Sequence, residues 1–151
     1  MKVVVQRVSS ASVTLEGGTC ASIGKGFVIL LGIRKGDTTR DADFLASKCI
    51  GLRVMGDEEG KMNLSLADVG GSVIVVSQFT LYGDAQRGNR PSFIEAAQPT
   101  EAEPLYERFV ERVRASLGPE RVGTGVFGAM MEVKIINDGP VTILLESRGR
   151  E

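Results

Sequence analysis

The chain has 151 residues, 42% hydrophobic and 25% charged, with a formal net charge of -1, a balance that fits one globular domain over 1–151. A charge so near zero excludes a nucleic-acid binder that works by overall basicity and leaves open only a local basic patch. There is no histidine, which removes Ser-His-Asp and Cys-His catalysis, HExxH metalloproteases and histidine-ligated zinc; an enzyme built from this sequence moves protons with carboxylates, lysines, hydroxyls, water or its substrate.

In chain order, the N-terminus MKVVVQRVSS lacks the long apolar run and small-residue cleavage pattern of a signal peptide. The longest apolar stretch, Phe27 to Leu31, is far short of the roughly 20 residues that span a bilayer. A soluble, cytoplasmic protein with no membrane partner is expected. Lys2 to Val8 is rich in β-branched residues, and Ser12–Leu15 and Thr19–Ile23 flank a Glu16-Gly17-Gly18 turn as a hairpin. Phe27 to Ile33 suits a strand buried on both faces. Thr38, Thr39 and Asp41 offer N-caps to a helix whose stripe is Ala42, Leu45, Cys49 and Leu52. Cys20 and Cys49 form neither a metal pair nor a CxxC, and both are expected to be reduced core fillers.

Gly56 to Gly71 has the polar, glycine-rich composition of a long ordered connection. Ser72 to Gln78 is a strong strand running into Phe79-Thr80-Leu81, and Gly83 to Pro91 is a loop with two arginines. A second helix is expected from Thr100, with Glu103 closing a capping box, a stripe of Tyr106, Val110, Val113 and Leu117, and a stop at Gly118-Pro119. Glu132–Asn137 and Val141–Glu146 are the closing strands around Asp138-Gly139-Pro140. Two helices cannot cover both faces of so many strands. The expected fold is therefore α/β: a three-layer helix/sheet/sheet domain with mixed β-sheets and two main helices. A monomer of this size buries only roughly 70% of the surface its unfolded chain exposes, so association is open as well.

Three constellations could carry chemistry. Ser77-Gln78-Phe79-Thr80-Leu81 brings backbone amides, an amide side chain and two hydroxyls to a strand end, where freed amides can face an oxyanion; the plainer alternative is that Gln78 and Thr80 satisfy ordinary strand-end hydrogen bonds. Asn137-Asp138-Gly139-Pro140-Val141-Thr142 holds a Gly-Pro that suits either a tight hairpin turn or a cis bond. Arg7, Arg87, Arg90, Lys134, Arg148 and Arg150 could grip phosphates or form a solvated surface. Gly24-Lys25-Gly26 lacks the P-loop pattern, and the acidic run Asp57-Glu58-Glu59 could attract a divalent ion or stay solvated.

Together, the first two constellations resemble SQxTL and NxGPVT, the two signatures of the D-aminoacyl-tRNA deacylase family. The resemblance extends to Gln6-Arg7-Val8, Ala11 to Thr14, Gly60 to Leu66, Arg90-Pro91-Ser92-Phe93 and Gly125 to Ala129, nearly the whole chain. It implies a homodimer with a site at each end of the subunit interface and no cofactor or metal. In such a site Ser77, Gln78, Phe79 and Thr80 line the catalytic pocket, while Gly139 and Pro140, joined by a cis bond, enter in trans as the chirality filter. The resemblance also implies that Arg7 helps hold that loop. A related enzyme acting on L-alanyl-tRNA carries a motif like PQATL, so Ser77 and Phe79 place this chain on the D-specific side.

The implied substrate is the single-stranded acceptor end of an aminoacyl-tRNA, with adenine stacking on an aromatic such as Phe127, Asn137 as a supporting residue and phosphates met by arginine loops; no DNA partner is implied. An aminoacyl ester is already activated, so water and a preorganised oxyanion site suffice without histidine. Achiral glycyl-tRNA could also be cleared. No general base is visible beside Thr80, and an unassisted threonine is a weak nucleophile, which favours a positioning role. Two other classes remain: a non-catalytic RNA-binding module, which leaves both signatures without a purpose, and a hydrolase whose metal has oxygen ligands only.

Overall fold

The computed structural model describes Met1 to Ser147; Arg148 and Arg150 of the basic group lie outside the described residues. The elements are β1 (Lys2–Leu15), β2 (Gly18–Ile23), β3 (Gly26–Gly32), α1 (Thr39–Gly51), β4 (Met55–Gly56), β5 (Met62–Leu64), α2 (Leu66–Val69), β6 (Ser72–Ser77), a 3-10 turn (Phe79–Tyr82), α3 (Pro99–Leu117), β7 (Val122–Thr124) and β8 (Glu132–Glu146). They form a single-domain α/β fold around one mixed sheet, with β4 and β5 as a separate two-stranded ribbon.

β1 organises the sheet. Its first half, Lys2 to Val8, pairs antiparallel with β3, its second half, Ala11 to Leu15, pairs with β2, and its other edge pairs with β8 from end to end. β3 and β6 are parallel, as are β6 and β7. The sheet curls until β2 approaches β7: Cys20 Sγ lies 3.7 Å from the Thr124 carbonyl, and a Cβ on Gly123 would lie 3.0 Å from that of Ala21. The result is nearly a closed barrel.

Alternation along the strands sorts side chains into two cores. Phe27, Ile29 and Leu31 of β3 join Val3, Val5, Val73 and Val75 against Leu45, Cys49, Phe109 and Val113 of the helices. Val28, Ile74 and Val76 point the other way, into a second cluster with Val8, Val13 and Ala21. β3 is thus buried on both faces, as its unbroken apolar run predicts. Burial of each large side chain contributes about 1.5–3 kcal/mol. Among the described residues no helix is long and apolar enough to cross a membrane.

Several local expectations are corrected. The second helix starts one residue early, with Gln98 as N-cap and Pro99 at its first position, so Thr100 lies inside the helix and forms no capping box with Glu103; the fixed φ of proline favours that first position. Leu52 stands just past α1 as its C-cap but still packs half-buried on the same core, and Ala46 joins the buried stripe. The connection from Gly56 to Gly71 contains ribbon strand β5 and the short α2, capped by Ser65 and Asp68. Cys49 is buried, and burial pushes its thiol up to about 12, but Cys20 is exposed and is not a core filler.

The two closing strands are one. β8 runs unbroken past Gly139-Pro140, which is a cis bond inside a bulge and not a hairpin turn. Gln6 pairs with Thr142 and Val8 with Asn137, so Asp138, Gly139, Pro140 and Val141 all stand opposite Arg7.

α1 and α3 are tied by Arg108, whose Nε and Nη2 donate to the two Asp43 carboxylate oxygens at 2.8 and 3.0 Å. The Arg108 guanidinium holds the Asp43 carboxyl below the usual carboxylate range. Both side chains are about a third exposed, so Asp43→Asn should destabilise the fold by only about 0.5 kcal/mol at neutral pH. Because the folded carboxyl is depressed, this contribution is present above the unfolded value and is lost as pH falls through the folded one. Urea unfolding of the two proteins should therefore differ at pH 7 and converge as the pH is taken below the folded value of the Asp43 carboxyl; an equal difference throughout would show that the ion pair is not the cause.

Candidate active site

β6 carries Val73 to Val76 buried on both faces and ends at Ser77, level with Leu31 of β3. The Gln78 amide makes the last link across, donating to the Leu31 carbonyl at 2.8 Å. The chain then tightens into the 3-10 turn, where Leu81 N donates to Gln78 O at 3.2 Å and Gly83 N to Thr80 O at 2.9 Å. Such a turn bonds each amide to the carbonyl three residues back, so the amides of Phe79 and Thr80 precede its first internal bond. Both residues are exposed. The local sequence thus ends a buried ladder and leaves two adjacent backbone donors at its tip.

Ser77, Gln78 and Phe79 line a cavity of about 630 Å³, whose other walls come from Phe93, the Ala96–Pro99 approach to α3, Phe127 and Met130. Among the described residues no ionisable side chain lines it. Thr80 stands beside the cavity and not in its wall; among the described residues its hydroxyl has one partner, the Gln78 side-chain amide, which donates to it. Behind the wall, the buried Tyr106 hydroxyl donates to the Val75 carbonyl at 2.8 Å and its ring lies 5.8 Å from that of Phe127. Burial pushes the Tyr106 phenol up to about 12, so it is a fixed prop between α3 and β6 and not a proton donor to the site.

The second motif is elsewhere. Arg7 Nε donates to the Asp138 carbonyl at 3.0 Å and Nη1 to the Val54 carbonyl at 2.7 Å, and the Asp138 carboxylate lies 3.5 Å from Nε. Arg7 therefore braces the bulge that presents Gly139 and Pro140, both exposed. Gly139 has φ +123°, and a Cβ there would lie 3.0 Å from Arg7 Nη2 and from Val141 Cγ2, so a side chain at this position is strained by its own backbone as well as crowded. Asn137 pairs in the ladder with Val8, and Lys134 faces solvent opposite Ser12.

In one chain the two motifs do not meet. Gly139 lies level with Arg7, Ser77 level with Val3, and three strand spacings separate β8 from β6. With about 3.3 Å per residue and about 4.8 Å between strands, the separation is on the order of 20 Å. Of the expected site residues, Ser77, Gln78, Phe79 and Phe127 share one cavity, Thr80 adjoins it, and Arg7, Asn137, Gly139 and Pro140 gather at the far end of the sheet.

Phe93 and Met130 were not singled out from spacing, although Phe93 lies in the Arg90–Phe93 segment that carries part of the resemblance. Phe93 packs edge-on against Phe79 with ring centres 5.2 Å apart, a contact made only because the loop after the 3-10 turn comes back to the strand end.

The family model described as D-Tyr-tRNA(Tyr) deacylase matches residues 4–146. The D-aminoacyl-tRNA deacylase of Thermomicrobium roseum is 58% identical over 147 residues, covering 97% of this chain and 94% of the relative. That of Bacteroides thetaiotaomicron is 51% identical over 151 residues and 100% of both chains. A solved structure described as c-Myc DNA Unwinding Element Binding Protein superposes with a TM-score of 0.93 at 45% identity, covering 99% of this chain and 100% of that one. With a match over almost its full length and relatives above half identity, the chain belongs to the D-Tyr-tRNA(Tyr) deacylase family.

Proposed function

We propose that the chain hydrolyses the ester of D-aminoacyl-tRNA, releasing the D-amino acid and tRNA, as a cytoplasmic homodimer that needs no cofactor and proofreads chirality for translation. The observation that carries this reading is a cavity that, among the described residues, has no ionisable side chain in its wall, set beside two backbone amides at the end of β6. A reaction that needs strong acid–base help has no means here, whereas an activated ester needs little. Water attacks the ester carbonyl carbon, and the amides of Phe79 and Thr80 stabilise the oxyanion that develops. The tetrahedral intermediate collapses with loss of the ribose oxygen, and the proton from water reaches that oxygen through the neighbouring ribose hydroxyl. Ser77 and Gln78 position the substrate. Gln78 also holds the Thr80 hydroxyl, which positions and does not attack. Phe127 offers its ring to the terminal adenine.

The filter is Gly139 and Pro140 of the partner subunit, braced by Arg7, with Asn137 at the root of the bulge. A bulge on the order of 20 Å from its own pocket can act on the chemistry only from a second copy. β8 also leaves an edge open to pairing and exposes Leu144 and Ile136, a liability that a second copy would cover and that would supply the third layer. Enantiomers share every functional group, so a rigid wedge must reject L side chains by shape and let D side chains and achiral glycine pass.

The test is release of amino acid from D-tyrosyl-, L-tyrosyl- and glycyl-tRNA, with and without a chelator, on protein whose mass is read by light scattering. Hydrolysis of D-tyrosyl-tRNA unaffected by chelator, sparing of L-tyrosyl-tRNA, and a particle of twice the 16.1 kDa chain are expected. Lack of D-tyrosyl-tRNA hydrolysis, or its loss with chelator, would reject the reading.

A further inference from the structure

We propose that the loop tip carrying Arg87 and Arg90 is a phosphate clamp for the single-stranded RNA end whose terminal ester enters the cavity, an inference that rests on the deacylase reading above. Among the described residues the cavity wall offers no positive charge, so a nucleic-acid substrate that reaches it has its backbone met outside. The loop leaves the site's own turn and returns to the site's own wall. Gly83 N donates to Thr80 O at 2.9 Å, Asp84 and Ser92 exchange two backbone hydrogen bonds of 2.8 Å, and Phe93 then packs on Phe79. A Cβ at Gly83 would lie 2.9 Å from the Phe93 ring and 3.0 Å from the Thr80 carbonyl. The root is therefore tightly packed on the catalytic turn, and the tip is held in register with it.

The charge of the tip is unspent. Every residue from Gly83 to Glu95 is exposed, and between Ala85 and Ile94 there are two arginines and no acid. The nearest acid in sequence, Asp84, turns its carboxylate onto the loop's own backbone, accepting from Gln86 N at 2.9 Å. By contrast, Arg34 is spent on Glu95 and Arg108 on Asp43. Among the described residues neither Arg87 nor Arg90 has an ion-pair or hydrogen-bond partner. Three residues beyond the Asp84–Ser92 bridge reach about 10 Å, a distance that suits contact with the phosphates of neighbouring nucleotides and not with the reacting one. Planar guanidinium forks suit phosphate oxygens there. Sequence would not be read, because phosphate contacts fix register without distinguishing bases.

The experiment compares wild type with Arg87→Gln/Arg90→Gln and Arg87→Lys/Arg90→Lys on two substrates, D-tyrosyl-tRNA and D-tyrosyl-adenosine, which lacks phosphate. In parallel, fluorescence anisotropy follows binding of an uncharged RNA hairpin with a single-stranded 3′ end as salt is varied. Each single-strand phosphate contact contributes about 0.7 to the salt slope, so loss of two should flatten the slope by about 1.4 and weaken binding roughly 25-fold at about 0.1 M salt. KM for D-tyrosyl-tRNA should rise by a similar factor with kcat held, turnover of D-tyrosyl-adenosine should not change, and the lysine pair should recover most of the loss. Unchanged RNA binding and salt slope in the glutamine pair would overturn the clamp, as would equal loss on both substrates, which would mean that the loop only supports the pocket. Failure of wild type to cleave either substrate would reject the deacylase reading, while the binding arm still decides whether the loop holds RNA.

Discussion

Phe79→Pro should lower kcat for D-aminoacyl-tRNA hydrolysis by about 10² to 10³ relative to Phe79→Ala, the loss that follows removal of one oxyanion donor. Phe79 is the first residue of the 3-10 turn, the position at which proline is best accepted, because its amide has no acceptor inside the turn. Gln78 before it has φ -140° and ψ 79°, outside the helical region that a following proline disfavours. Both variants lose the aromatic contact with Phe93, worth about 0.5–1.5 kcal/mol, so the alanine control cancels that effect and isolates the amide. Thr80→Ala keeps both amides and should retain measurable activity. Single-turnover kinetics on the three variants, with thermal unfolding to show that each is folded, is the measurement. Equal rates for the proline and alanine variants would remove the backbone amide from the mechanism, and a covalent aminoacyl ester trapped on Thr80 would replace it with a nucleophile.

The parts of the fold that were legible in the sequence are those whose pattern is local. Phe27 to Leu31 had nowhere to go but a strand buried on both faces, and the spacing of Tyr106, Val110, Val113 and Leu117 gave one buried face of α3. What misled was also local. Asp138-Gly139-Pro140 has turn chemistry, yet β8 continues because the ladder with β1 on both sides of Arg7 outweighs the preference of three residues. Thr100 and Glu103 have capping-box spacing, but Pro99 took the first helical position. The strand-end motif was visible because it follows a strong strand, whereas its cavity was not: Phe93 and Met130 reach it through long-range returns of the chain that no period encodes. Nor could spacing place Gly139 at the opposite end of the sheet from Ser77, since that follows from which strands pair with β1.

That separation leads to a prediction with a larger contrast than any single substitution. If each site joins the pocket of one chain to the bulge of the other, a chain with a dead pocket and a chain with a dead bulge should be inactive alone and active together. Phe79→Pro supplies the first. Gly139→Val supplies the second, because φ +123° and the 3.0 Å approaches to Arg7 and Val141 deny a branched side chain its place; turnover of D-substrates should fall. A two-fold dimer of one chain of each kind has one site with both lesions and one with neither. Random exchange puts about half of the chains' pairings in mixed dimers, so about a quarter of wild-type activity should return after unfolding and refolding the variants together. Sites confined to one chain predict no recovery at any ratio, since every pocket or every bulge then stays with its own lesion. Activity should also fall on dilution toward monomer, and the mixed sample should lose it at the same concentration as wild type. Recovery in the mixture would place Gly139 and Pro140 in the partner's pocket without a substrate complex, and its absence in well-folded mixed dimers would reject a filter that acts from the second chain.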